Sequence, residues 1–530
     1  MSTRQSGLLA HITSLPSPYG IGDLGSGAYD FADHLAATNQ QLWQILPLGP
    51  TGPSGSPYSS RSTFAGNPLL ISPEPLLEQG LLTPSDVAPL KALPTDQVDM
   101  PAVHTHKRAA LTTAFERFEQ NATPTQRAAV DQFSQRAADW LDDYTLYMAL
   151  RTAHNDAPWT EWPAPLARYE AEAIAQARTE HATARRKHTF WQFLFHRQWQ
   201  ALHTYCTRRN IQLFGDLPIY VAPDSADVWA NQELFQLHPD GSPKAVAGVP
   251  PDYFSPEGQT WGNPLYRWDD MAKTDYAWWQ RRLSHLLDRV DLARIDHFRA
   301  FDAYWVVPAD ADTAVDGHWA DGPGKNFFDT IRDALGPLPL VAEDLGDITD
   351  SVLELRDTVG LPGMAVLQFA FETDAHNNFL PHNVARNMVM YTGTHDNNTL
   401  QGWWNDDTTP GERERAHTYL DLERAPSLPY AAQRMLLASA IDRVVFPVQD
   451  IVGLGSEARM NTPGTETGNW SWRMSSDLLD DPAFERLATW TKAYGRTPAP
   501  EPVDDASSDA APDSESKSDA APGSDTNSTA

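Results

Sequence analysis

At 530 residues, 41% of them hydrophobic, the chain is long enough to bury a large core. Its 70 acidic against 40 basic residues give a formal net charge of −30, which repels phosphate and so excludes nucleic acid or an anionic membrane surface as partner, leaving a neutral ligand as the expectation. Arginine outnumbers lysine and the acids are spread along the whole chain, a composition that suits solubility in concentrated salt, so a halophilic origin is expected.

The opening segment MSTRQSGLLAHITSLPSPYG has an apolar stretch too short for a signal peptide, and no later apolar run is long enough to span a bilayer; a soluble, cytoplasmic protein is expected, with the monomer the favoured state. GLLAHI reads as a first strand. The GIGDLG that follows spells a dinucleotide fingerprint, but it comes after LPSPY and has no strand-end acid at the ribose distance downstream, so it reads as a flexible turn. QLWQILPL is a second strand, and the Gly-rich TGPSGSPYSS after it lacks a P-loop lysine. From about residue 70 to 203 the gap is too long for one crossover and carries helical patterns such as DWLDDYTLYMALR, so an inserted, mostly helical subdomain is expected there. His104 and His106 lie in what reads as a loop entering a helix and are taken as solvated. No cluster has metal-ligand spacing, and no metal or organic cofactor is expected. Cys206 cannot form an internal disulfide and reads as a small core filler.

IQLFGDLPIYV is a third strand. Residues 234–270 are dense in Pro, Gly and aromatics without helical period, and read as an ordered surface loop over a rim. VDLARID, PLVAED, GMAVLQFAF, NMVMYTGTHD and RVVFPVQD complete a set of eight apolar, β-rich runs separated mostly by βα-unit spacings. The pattern predicts a (β/α)8 TIM barrel with helical insertions, residues 1–496 forming one catalytic domain. From 497 to 530 the chain lacks aromatics and apolar bulk and is expected to be a disordered acidic tail.

Three of these runs end in an acid: Asp296, Glu343 and Asp396. An acid pushed out of a strand into a cleft is costly unless chemistry uses it. Period-two alternation puts Arg294 beside Asp296, so the guanidinium is expected to lower the Asp296 pKa and keep it ionised. Glu343 and Asp344 are adjacent and face opposite ways, and spacing leaves open which one faces the barrel mouth. His395 and Asp396 together offer an imidazole and an acid for neighbouring hydroxyls. The chain has 18 tryptophans, with Trp261, Trp403 and Trp404 placed in loops. Aromatic faces on a rim suit the stacking of sugar rings.

In order, SLPSPYGIGDLG, SPYSSRSTFAGNPLLI, FGDLPIYVAPDSADVW, GVPPDYFSPEGQTWGNPLY, ARIDHFRAF, VAEDLG, GLPGMAVLQFAF, GTHDNNT, GLGSEARMN and MNTPGTETGNWSWR resemble the motifs of the 4-α-glucanotransferases known as amylomaltase or disproportionating enzyme, relatives of the α-amylases. The resemblance implies a barrel without a separate C-terminal β-domain. It implies Asp296 as nucleophile, Glu343 as acid/base and Asp396 as stabiliser of the distorted sugar. It also implies substrate contacts from Tyr58, Asp216, Asp252, Gln259, Trp261, Arg294, His297, Phe369 and His395. The implied reaction is retaining transfer of an α-1,4-glucan segment from a maltooligosaccharide or amylose-like donor to the 4-hydroxyl of glucose or another glucan, with the two carboxyls ~5–5.5 Å apart. For that chemistry burial and the Asp296 charge should raise Glu343. A hydrolase of the same glucans and a glucan-binding protein without catalysis are the competing readings.

Overall fold

Short apolar runs with strict alternation have one face for a barrel interior and one for surrounding helices, and the computed structural model of the chain sorts them that way. It describes residues 4–52, 54–251, 255–465 and 467–498. The strands are β1 (Gln5–Leu9), β2 (Leu42–Gln44), β3 (Gln212–Pro218), β4 (Ala245–Val249), β5 (Gln259–Pro264), β6 (Leu292–Asp296), β7 (Ala303–Pro308), β8 (His318–Asp321), β9 (Leu340–Ala342), β10 (Gly363–Val366), β11 (Met388–Tyr391) and β12 (Arg443–Pro447). Eight of them form one parallel sheet in the order β10-β11-β12-β1-β2-β3-β6-β9. The Ala342 N–H donates to the Pro362 carbonyl at 2.8 Å, bringing the two edges together into the (β/α)8 barrel.

Inside the barrel, Leu9, Leu42, Phe214, Leu292, Val341, Met364, Val389 and Val445 pack as one apolar plug. On the outer face Leu8, Leu213, Ala293, Ile295, Ala342 and Val444 join the large core shared with the helices. The plug fixes the direction of everything above it. On β6 the inward series Leu292, Arg294, Asp296 climbs from the plug to the mouth, and on β9 the residue two beyond inward-facing Val341 is Glu343.

Between β2 and β3 the chain runs through helices that include Met100–Asn121, Pro124–Arg136, Ala138–Ala153 and Ala182–Thr207. Their starts are written in the sequence. Asp99 accepts from the Ala102 N–H, and Thr123 with Gln126 forms a reciprocal capping box. His104 and His106 therefore lie inside a helix, where a loop was expected, and the His104 ring is half-buried. The GIGDLG turn is also not free: buried Asp23 accepts from the Gly25 N–H at 3.0 Å and from Lys107 Nζ at 3.3 Å, tying the turn to helix Met100–Asn121. A Cβ on Gly22 would stand 2.0 Å from the Ile12 carbonyl oxygen, so that position admits only glycine.

Residues 234–270 are not a strandless loop. β4 and β5 pair antiparallel, β4 pairs with β7, and β7 with β8, forming a four-stranded sheet. The sheet is completed by β7 and β8 from later in the chain, which a local reading of the segment does not see. After β12 the described residues add helices Val448–Val452 and Pro482–Ala493 and no further strand. The fully buried Arg496 then donates to the carbonyls of Gln5 (2.9 Å), Leu437 (2.8 Å) and Ile441 (2.9 Å), fastening this end to the barrel floor. The acidic tail beyond residue 498 and Asp252 lie outside the described residues.

Candidate active site

The mouth of the barrel holds more negative charge than it neutralises. Asp216 on β3 and Arg294 on β6 are lateral neighbours in register, and Arg294 Nη1 lies 2.6 Å from Asp216 Oδ2 while its Nη2 lies 2.6 Å from Asp296 Oδ1. One guanidinium is thus divided between two carboxylates. Tyr58 donates to the same Asp216 oxygen at 2.6 Å, and its ring stacks on His395 at 5.1 Å between centroids. Asp216 is wholly buried, whereas the Asp296 side chain keeps 28% of its surface open to the cleft.

Glu343 faces this group and Asp344 does not. Glu343 Oε2 accepts from the His297 N–H at 2.7 Å, and Oε1 from the Leu345 N–H at 2.9 Å. The first of these bonds needs His297 in a left-handed conformation, φ 55°, which turns its amide toward β9. Asp344 points to the outer face, where it takes the Arg356 guanidinium at 2.5 Å and the Met364 N–H at 2.7 Å.

Burial raises the Glu343 pKa; Arg294 opposes this and the Asp296 charge adds to it. Asp296 departs from the sequence expectation. Burial pushes it up, and although Arg294 pulls it down, Asp216 and Asp396 push up again, so its net shift is upward. The guanidinium is diluted by its second partner. Arg294 still touches Asp296 and not Glu343, an asymmetry that favours the charge on Asp296 and the proton on Glu343. Burial alone would raise Asp396 as well, but His395 Nε2 at 3.2 Å and Asn461 Nδ2 at 2.7 Å hold it well below the usual carboxylate range. His297 is pushed down to about 3 by burial, with Arg299 adding, and so is neutral near pH 7.

Asp296, His297, Asp396, Tyr58 and Trp261 share one open cleft of about 660 Å³. Trp261 is on β5, 37% exposed, with its ring edge-on to His297 at 4.8 Å and its Nε1–H donating to Gln259 at 3.2 Å. Phe369 sits lower, on the apolar barrel plug and edge-on to Phe379. Trp403 is not a rim aromatic: it is buried against Phe371, and Arg413 lies over the Trp404 ring. The cleft lining instead includes Trp470, tilted against both Tyr58 and His395. Beside it Arg459 Nη2 donates to the Asp396 carbonyl at 2.7 Å. Trp470, Asn461 and Arg459 were not singled out from sequence, because they stand on a loop beyond the last strand; the segments GLGSEARMN and GNWSWR that carry them were the only available signal.

A family model described as 4-alpha-glucanotransferase matches residues 10–479. The chain belongs to that family. A curated 4-alpha-glucanotransferase of Thermus thermophilus is 46% identical over 500 residues, covering 93% of this chain and 99% of that one. One from Synechocystis is 46% identical over 499 residues, covering 94% and 99%. Among solved structures, an amylomaltase from Streptococcus agalactiae in complex with acarbose superposes with a TM-score of 0.90 at 36% identity, covering 93% of this chain and all of that one. An amylomaltase from Corynebacterium glutamicum, 20% identical with a TM-score of 0.75, shares the fold.

Proposed function

We propose that the chain is a 4-α-glucanotransferase that cuts an α-1,4-glucan and rejoins the glycosyl piece to the 4-hydroxyl of an acceptor glucan or glucose, residues 1–496 being the catalytic unit. The observation that carries this reading is the division of labour at the barrel mouth: Glu343, raised and free of any cation contact, beside Asp296 on Arg294. Glu343 gives its proton to the departing glycosidic oxygen as an Asp296 oxygen bonds to the anomeric carbon and the old C–O bond breaks. In the second displacement Glu343 takes the proton of the acceptor 4-hydroxyl, whose oxygen bonds to the anomeric carbon and releases Asp296. Two inversions retain the configuration. Asp396, kept ionised by His395 and Asn461, holds the hydroxyls of the strained sugar. Trp261, Gln259, Tyr58, His297, His395, Phe369 and Asp252 are the proposed glucan contacts.

Transfer needs a sugar hydroxyl to outcompete water. Trp261 and Trp470, in the same cleft lining as Asp296 and Asp396, support an acceptor held in the cleft at high effective concentration. Maltotriose tests this directly. A ladder of longer maltooligosaccharides appearing together with glucose is expected, and shortening alone would make the protein a hydrolase. The acid excess supports a cytosolic protein adapted to salt; its melting temperature should rise with salt concentration, and full stability in dilute buffer would count against that adaptation.

A further inference from the structure

Residues 50–61 form a loop closed at its base by a Thr51–Ser60 bridge and by the Arg61 N–H on the Pro50 carbonyl at 2.8 Å. Its tip, with Ser54, Ser56 and Tyr58, faces the catalytic cleft. Its base, with Thr51 and Arg61, walls a second and separate cavity of about 160 Å³. The other walls come from the helical insertion: His104 and Arg108 from Met100–Asn121, Tyr144 from Ala138–Ala153, and His188 from Ala182–Thr207.

The lining is more apolar than polar, with Pro68, Leu69, Met148 and Trp191 in its walls, but several of its polar atoms are unsatisfied. Among the described residues Thr51 Oγ1 and both ring nitrogens of His188 are buried without a hydrogen-bond partner, while His104 meets the Thr51 backbone and the Tyr144 hydroxyl meets Gln192. Tyr144 and His188 are each only 1% exposed, and the Gln192 amide beside the Tyr144 hydroxyl is also engaged by Gly66. Buried polar groups are nearly always paired, so three open atoms on residues that line one void describe a site shaped for something to bind. At ~30 Å³ per water the void has room for about five waters, or for a small molecule.

Charge says which kind. Arg61 and Arg151 also line the cavity, but both are engaged by Asp224. Arg108 has no carboxylate partner among the described residues, in a chain whose overall charge is −30. Burial pushes His188 down to about 3, with Lys187 and Arg108 adding, so its ring is neutral and presents one N–H and one lone pair. Asp156 also stands in the wall, but Arg61, Arg108 and Arg151 outnumber it and Asp224, so with the imidazoles and hydroxyls as donors the acceptor-rich, anionic partner is an oxyanion. We propose that this cavity, behind the loop that presents Tyr58 to the active site, binds a phosphate group, either as inorganic phosphate or on a small phosphate ester.

Calorimetric titration of the full chain with inorganic phosphate, with glycerol 3-phosphate and with glycerol as the neutral control tests this. Saturable binding of either phosphate compound is expected, and which one binds identifies the source. Arg108→Gln should weaken that binding at least tenfold and Tyr144→Phe about threefold, while both variants still disproportionate maltotriose at the wild-type rate, which certifies their fold. Absence of saturable binding by both phosphate compounds would overturn the proposal. So would unchanged affinity in Arg108→Gln, or a crystal grown in phosphate whose cavity holds only water.

Discussion

Two buried ionic groups in this molecule are built on opposite principles. Where the helical insertion meets the turn after β1, Asp23 and Lys107 are 3% and 1% exposed and answer each other one for one. At the barrel mouth a single guanidinium, Arg294, serves Asp216 and Asp296 while Glu343 stands beside them without a cation of its own. The first arrangement cancels charge and fastens two elements together. The second leaves a surplus that keeps a proton on one carboxyl and a charge on its neighbour, which is what acid and nucleophile need at one pH. Charge surplus in a cleft, and not burial of charge as such, separates the working site from the structural one.

Substitutions can break this contrast, and the rim should respond in rate while the insertion responds in stability. Asp296→Asn should lower kcat by on the order of 10⁴-fold or more with an unchanged melting temperature, read from maltotriose turnover beside a thermal melt. Glu343→Gln should cost ~10²–10⁴-fold and remove the alkaline limb of the pH–rate profile. In the wild type, both limbs should lie above ordinary carboxylate values. Activity falls on acidification as Asp296, raised by burial, takes up a proton, and falls on alkalinisation as Glu343, also raised, gives one up. Lys107→Met should leave kcat within about threefold but cost ~3–5 kcal/mol in denaturant unfolding, because Asp23 is left buried and unpaired; replacing both partners by apolar residues should recover most of it. Asn461→Ala, which removes one hydrogen bond to the Asp396 carboxylate, is expected to cost ~1.5 kcal/mol of transition-state binding, roughly tenfold in kcat/KM.

Much of this was legible in the chain because barrel strands are apolar, β-rich and bounded by turn residues, so all eight announce themselves locally. The acids were legible for the same reason, as polar ends of apolar runs, although Asp396 stands five residues beyond the end of β11. What escaped depends on contacts distant in sequence. β4 and β5 are Gly-interrupted and set in a Pro- and Gly-rich stretch, so they do not declare themselves without the rest of their sheet. The choice between Glu343 and Asp344 requires knowing that Val341 faces the barrel plug, which only the closed sheet provides. The sign of the Asp296 shift follows first from its burial and then from Asp216, the register neighbour of Arg294 on another strand, which shares that guanidinium. Trp470 and Asn461 reach the cleft from a loop with no period of its own, and Trp403, read as a rim aromatic, is in the core.

The most direct test of the central claim is to trap the covalent state. Glu343→Gln treated with a maltosyl fluoride, whose leaving group needs no proton, should accumulate a maltosyl adduct, and peptide mass spectrometry should locate it on Asp296. An adduct on Asp344 or Asp396, or turnover of the fluoride without any adduct and with inverted product, would contradict the assignment of nucleophile and acid made here.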